Sequence, residues 1–261
     1  MPNRNDFIIS SGDMEEQAEL DGIAKDELTI PENVILTFSK GIIDEIDGQC
    51  DLVEWEWKGG RYSPYYPPPS KSWKGEINSK EVIVIVPPMG SSPIAAIAED
   101  LIYFGAEKLF LLCASWSLGD DCLKKGQIHL PSFALGLDGT SPHYGNDEGL
   151  VEAEPEGFKA LSNSLNKLNV DWRKGGVASF EAIYRITPQL VDEFRSKNCL
   201  SMENGEVASL FSISKIYDIF IGVLLQPYIN LEKGFELSYM DDRYISTCRD
   251  QAKAALEIIK D

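Results

Sequence analysis

Three short segments of this sequence combine small, hydroxyl-bearing or acidic residues at points where a strand is expected to end. They are Met89-Gly90-Ser91-Ser92, Ala114-Ser115-Trp116-Ser117 and Met202-Glu203-Asn204-Gly205-Glu206. Ligands of α/β sheets bind beyond the carboxyl ends of the strands. Free backbone N–H groups at a helix start attract an anion or a ribose oxygen, and carboxylates accept protons from hydroxyl groups. Each segment alone is equally typical of an ordinary turn or helix cap, so its chemistry depends on the surrounding elements.

Alternating strand and helix patterns surround these segments and indicate an α/β fold. Glu81–Val86 is a β-branched run, typical of a strand buried on both faces. Pro93 opens an apolar helix that ends at Gly105, and Lys108–Ala114 is a second buried strand. A strand, helix and strand of this length predict a parallel pair with a right-handed crossover.

The rest of the chain fits one domain spanning residues 1–261. Residues 1–30 are polar and weakly periodic, and we treat them as an N-terminal extension. Residues 54–75 are rich in Trp, Tyr and Pro, which favours a surface loop, with a lid or subunit contact as the alternative. Further strands are expected at 34–38, 127–130, 177–184 and 219–225, and further helices at 42–46, 155–168, 187–197, 206–217 and 241–259.

Composition excludes several classes of function. With 42 acidic and 24 basic residues the formal net charge is −18, which argues against general nucleic-acid binding. The sequence shows no signal-peptide pattern and no apolar run near the ~20 residues that cross a bilayer. Its two histidines, His129 and His143, give little support for a metal site, and its five scattered cysteines favour reduced thiols. We expect a soluble cytoplasmic protein with a small-molecule ligand, no membrane partner and no metal.

Three passages occur in a recognisable order: VIVIVPPMGSSPIAAIAEDLIYFGAEKLFLL, LGLDGTSPHYG and GGVASFEAIYRITPQLVDEF. The first passage resembles a strand, a Gly-x-Gly-x-Pro turn and a helix. The second resembles an Asp-Gly-(Thr/Ala)-Ser-x-His-(Tyr/Phe) segment, and the third resembles a base-pocket strand with the helix that follows it. This is the pattern of the nucleoside phosphorylase and nucleosidase superfamily, which includes uridine phosphorylase and hexameric purine nucleoside phosphorylase. The chain looks like a divergent branch. The resemblance implies a three-layer α/β fold with a central mixed, largely parallel sheet flanked by helices.

The resemblance implies three acids as catalytic candidates. The family clamps ribose with the second glutamate of a Glu-Met-Glu motif, and counting back from the helix at Val207 assigns that position to Glu206. Another register places Met-Glu on Met202 and Glu203. The carboxylate would accept both ribose hydroxyl protons and orient the sugar. Glu181 falls where some members have an aspartate and is either an acid–base group or an ordinary cap.

The resemblance also implies a set of substrate-binding positions. Met89, Gly90 and Ser91 form the turn that approaches ribose and phosphate. Ser115 supplies a hydroxyl that shares phosphate binding, with Trp116 beside it, and Tyr184 is an aromatic residue near the base. Met202 is the methionine of the alternative register, and His143 stands where the family has a histidine near a subunit interface. Trp116 replaces a small residue, which would favour a smaller ligand.

Several positions depart from the family pattern. Leu112 replaces an arginine of the phosphate site. Gly12-Asp13 is a weak match to the family's N-terminal phosphate loop, and Glu16 occupies the position of the arginine in that loop. Neither residue provides the fork of donors that arginine offers to an oxyanion. The last strand reads Gln226-Pro227-Tyr228 in place of a terminal acid.

The resemblance therefore implies an enzyme that cleaves the N-glycosidic bond of a nucleoside or related N-riboside. Phosphorolysis and, without the arginines, hydrolysis both stay open, with Glu206 or Glu203 orienting water in the second case. We expect no cofactor, inorganic phosphate as a possible co-substrate, and a homo-oligomer, either a dimer or a hexamer. The alternatives are a nucleoside- or base-binding protein without catalysis and a structural paralogue on the same fold.

Overall fold

Strands and helices alternate along most of the chain in a computed structural model, which describes residues 7–63, 66, 71–235 and 241–260. The helices in these residues are α1 (Ser11–Leu20), α2 (Lys40–Cys50), α3 (Ser91–Tyr103), α4 (Pro155–Lys167), α5 (Pro188–Ser196), α6 (Glu206–Tyr217) and α7 (Asp242–Lys260). The strands are β1 (Asn33–Thr37), β2 (Val53–Glu54), β3 (Ser72–Ile77), β4 (Lys80–Ile85), β5 (Lys108–Ser117), β6 (Ile128–Gly136), β7 (Leu150–Glu152), β8 (Trp172–Ser179), β9 (Cys199–Glu203) and β10 (Phe220–Asn230).

The long strand β5 is the centre of the sheet. It pairs in parallel with β1 on one edge and β10 on the other, and its last residues, Trp116 and Ser117, pair antiparallel with β9. β10 meets β6, β6 pairs with β8, and β8 pairs with β9, so these strands and β5 form a closed ring of pairings. On the far side of β1 the sheet continues through β4, β3 and β2. β5 belongs to this ring, and β1 lies next to the ring through its parallel pairing with β5.

Helices cover both faces of this sheet. α1, α3 and α6 contribute buried residues to one apolar cluster, for example Ala18, Ile97 and Leu210. α2, α4 and α7 contribute to the cluster on the other face, for example Ile42 and Leu161. The predicted three-layer α/β class with a mixed sheet is confirmed.

The strand–helix–strand prediction holds for direction but not for adjacency. β4 and β5 run parallel, yet both pair with β1, which lies between them. All five residues of β1 are buried, so this short apolar strand is stabilised by inclusion in the middle of the sheet. Sequence neighbours in an α/β sheet can be separated by a strand that comes earlier in the chain.

Several strand boundaries differ from the predicted ones. β5, β6 and β10 extend beyond their predicted ends, and β8 ends at Ser179 because residues 183–185 form a 3-10 turn. The sequence patterns did not reveal α1, β2, β3, β7 or β9. β9, with Ser201 and Glu203 in its short sequence, has no alternating pattern, and its burial comes from pairing with β5 and β8.

The prediction of a surface loop is wrong for part of residues 54–75. Trp57 and Tyr66 are almost fully buried, and their rings meet edge to face with centroids 5.6 Å apart. The Trp57 indole N–H donates to the carbonyl of Leu28 at 2.7 Å, and its ring packs against Phe104. These aromatic residues therefore anchor the segment to the N-terminal region. The triple proline at 67–69 lies outside the described residues.

Candidate active site

An inner cavity of about 260 Å³ lies at the carboxyl ends of β1 and β5. It collects side chains from seven elements and their adjoining turns: Phe38 and Ser39 after β1, Met89 after β4, Cys113, Ala114, Ser115 and Trp116 on β5, Met202, Glu203 and Asn204 at the end of β9, Glu206 on α6, Tyr228 on β10 and Tyr244 on α7. Six predicted site residues lie together here: Met89, Ser115, Trp116, Met202, Glu203 and Glu206. The chain thus brings two of its three proposed acids and four of the proposed binding residues to one cavity.

Glu206 is held in place by the turn after β4. Its Oε1 accepts the backbone N–H of Gly90 at 2.9 Å, and its side chain is buried. Gly205 precedes it with a φ of +98°, and a Cβ at Gly205 would lie 2.9 Å from the Cβ of Ser91. A glycine is required here for two reasons, backbone conformation and space. The methionine that the family's motif would place at position 205 therefore does not fit here.

Glu203 forms a pair with Glu206 in the same cavity. Its Oε2 accepts the backbone N–H of Glu206 at 2.8 Å, and its Oε1 accepts the hydroxyl of Ser179. Burial, reinforced by the hydrogen bond and charge of Glu206, raises the pKa of Glu203 well above its usual range. Both sequence registers therefore point to an acid that lines this cavity, and the raised pKa of Glu203 favours its protonated form.

Replacing Glu203 with glutamine is expected to stabilise the protein at alkaline pH. The raised pKa of Glu203 means that its contribution to stability is complete below the ordinary value of 4.5 and is lost as pH rises through the raised value. Glutamine stays neutral, so the melting temperature of Glu203→Gln should exceed that of wild type at about pH 9 and converge with it near pH 5. Each unit of raised pKa corresponds to about 1.4 kcal/mol, or about 4 °C.

The measurement is thermal unfolding across that pH range, with Glu76→Gln on the exposed side of β3 as the matched control. Glu76→Gln should follow the wild-type pH dependence. A constant difference between Glu203→Gln and wild type at every pH would contradict a protonated Glu203.

Glu181 lies outside the inner cavity. Its Oε1 accepts the backbone N–H of Ser91 at 3.3 Å and also the Ser91 hydroxyl, and its Oε2 accepts the N–H of Gly139 at 3.3 Å. The carboxylate thus occupies the amino-terminal end of α3, which the sequence suggested for a ligand anion. Of the two roles considered for Glu181, the structure supports a cap, and Ser91 belongs to this cap.

Two other predicted binding residues lie apart from the inner cavity. Tyr184 is 91% exposed and lines a larger neighbouring cavity beside Ile183. His143 lines a third cavity together with Phe7 and Tyr217. Neither side chain contributes to the inner cavity of a single chain.

The second histidine, His129, is structural. Its Nδ1 lies 2.9 Å from the hydroxyl of Ser201, and burial lowers its pKa to about 4. The ring is therefore neutral and fixed inside the sheet. In the described part of the chain, no group of His, Cys, Asp and Glu residues could hold a metal ion.

Neither position where the family has a phosphate-binding arginine carries a basic residue in this chain. Leu112 is fully buried in the apolar cluster that includes Ile35 and Leu224. The weak phosphate-loop echo at Gly12-Asp13 lies inside α1, away from the inner cavity, so it is not a phosphate loop. Within the described lining of the inner cavity no side chain is basic.

Sequence reasoning did not assign Phe38, Ser39, Asn204, Tyr228 or Tyr244 to the site. Phe38 and Ser39 form the turn between β1 and α2, and the Ser39 hydroxyl lies 3.2 Å from the Cys248 sulfur. Tyr228 had a usable signal, because it follows the position where the family's terminal acid was absent. Tyr244 had none, since a tyrosine in the first turn of a C-terminal helix is ordinary.

Comparisons with known proteins agree with this geometry. Residues 61–225 match the family described as the Phosphorylase superfamily. A guanosine phosphorylase of Halorubrum lacusprofundi is 21% identical over 234 residues, covering 89% of this chain and 93% of the relative. The crystal structure of purine nucleoside phosphorylase from Toxoplasma gondii, in complex with immucillin-H, superposes with a TM-score of 0.76 at 17% identity, over 91% of this chain and 93% of that one. The predicted family is confirmed: this nucleoside phosphorylase-like chain belongs to the phosphorylase superfamily.

Proposed function

We propose that this protein cleaves the N-glycosidic bond of a nucleoside with water as the attacking nucleophile. One observation carries the proposal. The Glu203–Glu206 pair lies beside the backbone N–H of Gly90, in a cavity whose described lining holds no basic side chain. The family match favours an enzyme over a non-catalytic binding protein or structural paralogue.

The acid pair suits the binding of ribose. A carboxylate offers about four lone-pair sites, so its bonds to Gly90 and Glu203 leave Glu206 capacity for sugar hydroxyls. Ser115 and Asn204 add polar groups to the same cavity. A negative charge at this position also stabilises the electron-poor sugar that forms as the base departs.

The charge of the inner cavity distinguishes between the two nucleophiles. Phosphate is an anion that the Glu206 carboxylate would repel, and Leu112 cannot offset that repulsion. Water carries no charge, and Glu206 can accept its proton. Phosphorolysis is the second candidate, favoured by the match to the Phosphorylase superfamily and by the relative named guanosine phosphorylase.

The test is to incubate the protein with purine and pyrimidine nucleosides in phosphate, or in sulfate at equal ionic strength. Base release and the identity of the sugar are measured. We expect equal rates in both buffers and free ribose as product. Ribose 1-phosphate, formed at a rate that rises with phosphate, would establish phosphorolysis instead. Failure to release base in either buffer would exclude both reactions.

Further properties stay predictions. We expect a homo-oligomer, a dimer or a hexamer, and light scattering on the purified protein measures it directly. We also expect the protein to lie in the cytoplasm and to need no cofactor. Among the described residues, no helix has the length and apolar character needed to cross a membrane.

A further inference from the structure

A second cavity, of about 840 Å³, adjoins the inner cavity. We call it the outer cavity. Trp116 and Tyr228 line both cavities, and their rings, tilted by 56° with centroids 6.3 Å apart, form the boundary. A base attached to ribose in the inner cavity would pass these two rings and enter the outer cavity.

The outer cavity is lined mainly by apolar side chains: Ile183, Ile186, Pro188, Val191, Ile229, Leu231 and Phe235. Its charged or hydroxyl-bearing residues besides the tyrosines are Thr187, Asp192, Arg195 and Glu232, and three of these four are already engaged. Arg195 binds Asp121 at 2.6 Å and Glu232 at 2.8 Å, and the Thr187 hydroxyl caps α5 by accepting the N–H of Leu190. Such a lining recognises a ligand by apolar contact and stacking more than by the hydrogen-bonding edge of a base.

The size of the outer cavity also favours a ligand group larger than a nucleobase. Its volume alone lies in the range of pockets that hold drug-sized ligands, whereas a nucleobase is smaller. Tyr184 and Phe235 line this cavity, and they are 91% and 82% exposed to solvent. An unsubstituted base would therefore leave much of their apolar surface in contact with water. A larger apolar group would cover that surface.

We infer that the preferred substrate is a nucleoside whose base carries a bulky apolar substituent, such as an aralkylated purine or pyrimidine riboside. This inference rests on the proposed cleavage of an N-glycosidic bond. The ribose would bind in the inner cavity, and the substituted base would bind against Val191 and Phe235 in the outer one.

The experiment compares kcat/KM within matched pairs of substrates, adenosine with N6-benzyladenosine and uridine with 5-benzyluridine. We expect the benzyl compound of at least one pair to be preferred by about ten-fold or more, since each buried methylene contributes about a four-fold gain. An N6-carboxymethyl adenosine should lose this preference because its charge is placed against apolar side chains.

A variant tests whether the benzyl group binds in the outer cavity. Val191→Asp replaces an apolar lining residue with a carboxylate, in addition to those of Asp192 and Glu232, and should lower the benzyl-to-parent ratio by about ten-fold, towards one. Val53→Asp makes the same change on exposed β2 and should keep the wild-type ratio. A ratio measured on one protein sample does not depend on the fraction of folded protein.

The outcomes separate this inference from the proposed function. Cleavage of every riboside with equal or lower kcat/KM for the benzyl compounds would overturn the inference alone. A preference that survives Val191→Asp would also overturn it, because the substituent would then bind elsewhere. No cleavage of any riboside overturns the proposed function, and the inference with it.

Discussion

Replacing Glu206 with glutamine is expected to lower kcat/KM for nucleoside cleavage by about 100-fold or more. Two hydrogen bonds from ribose hydroxyls to a carboxylate together contribute about 3 kcal/mol, and an amide offers one acceptor without charge. The lost ribose bonds should raise KM, and kcat should fall as well because the developing positive charge on the sugar is greatest in the transition state. Steady-state assays of base release measure it.

Folding of the Glu206→Gln protein can be checked separately. The glutamine oxygen can still accept the N–H of Gly90, so thermal unfolding should change little. Glu193→Gln is the matched control, because Glu193 lies exposed on α5 and pairs only at the surface with Lys197. Wild-type kcat/KM in a folded Glu206→Gln protein would show that this carboxylate does not act on the substrate.

Restoring the family's arginine with Leu112→Arg is expected to unfold the protein without creating a phosphate site. Leu112 has no exposed surface and pairs through its backbone with Thr37 and Leu224. A guanidinium there would be a buried charge in an apolar cluster, a change that destabilises proteins by about 4 kcal/mol or more. Urea unfolding and the yield of soluble protein are the measurements.

Leu112→Met serves as the control for this substitution. Methionine conserves volume and apolar character, so it should cost less than about 1.5 kcal/mol. Comparing the stabilities of the arginine and methionine variants separates the effect of a buried charge from the effect of changed packing. A folded Leu112→Arg protein whose activity rises with phosphate would contradict both the buried position and the proposal of water as nucleophile.

Much of the fold could be predicted from local patterns. Helix α6 begins at Glu206 and ends at Tyr217 as the spacing of apolar residues indicates, and α3 begins close to Pro93. The gathering of Met89, Ser115 and the two glutamates could be anticipated as well. Segments that follow buried strands lie at one edge of a parallel sheet, so their order in the chain predicts their proximity.

The sequence by itself determined the α/β class, the family and the acids at the strand ends, because periodicity, turn residues and motif order are local properties. Only the tertiary structure decided that β1 lies between β4 and β5, that Trp57 is buried and that Glu181 caps α3. It also decided the direction in which the pKa of Glu203 shifts, because burial and then the neighbouring Glu206 raise it. These outcomes depend on contacts between residues far apart in the chain, which no local pattern encodes.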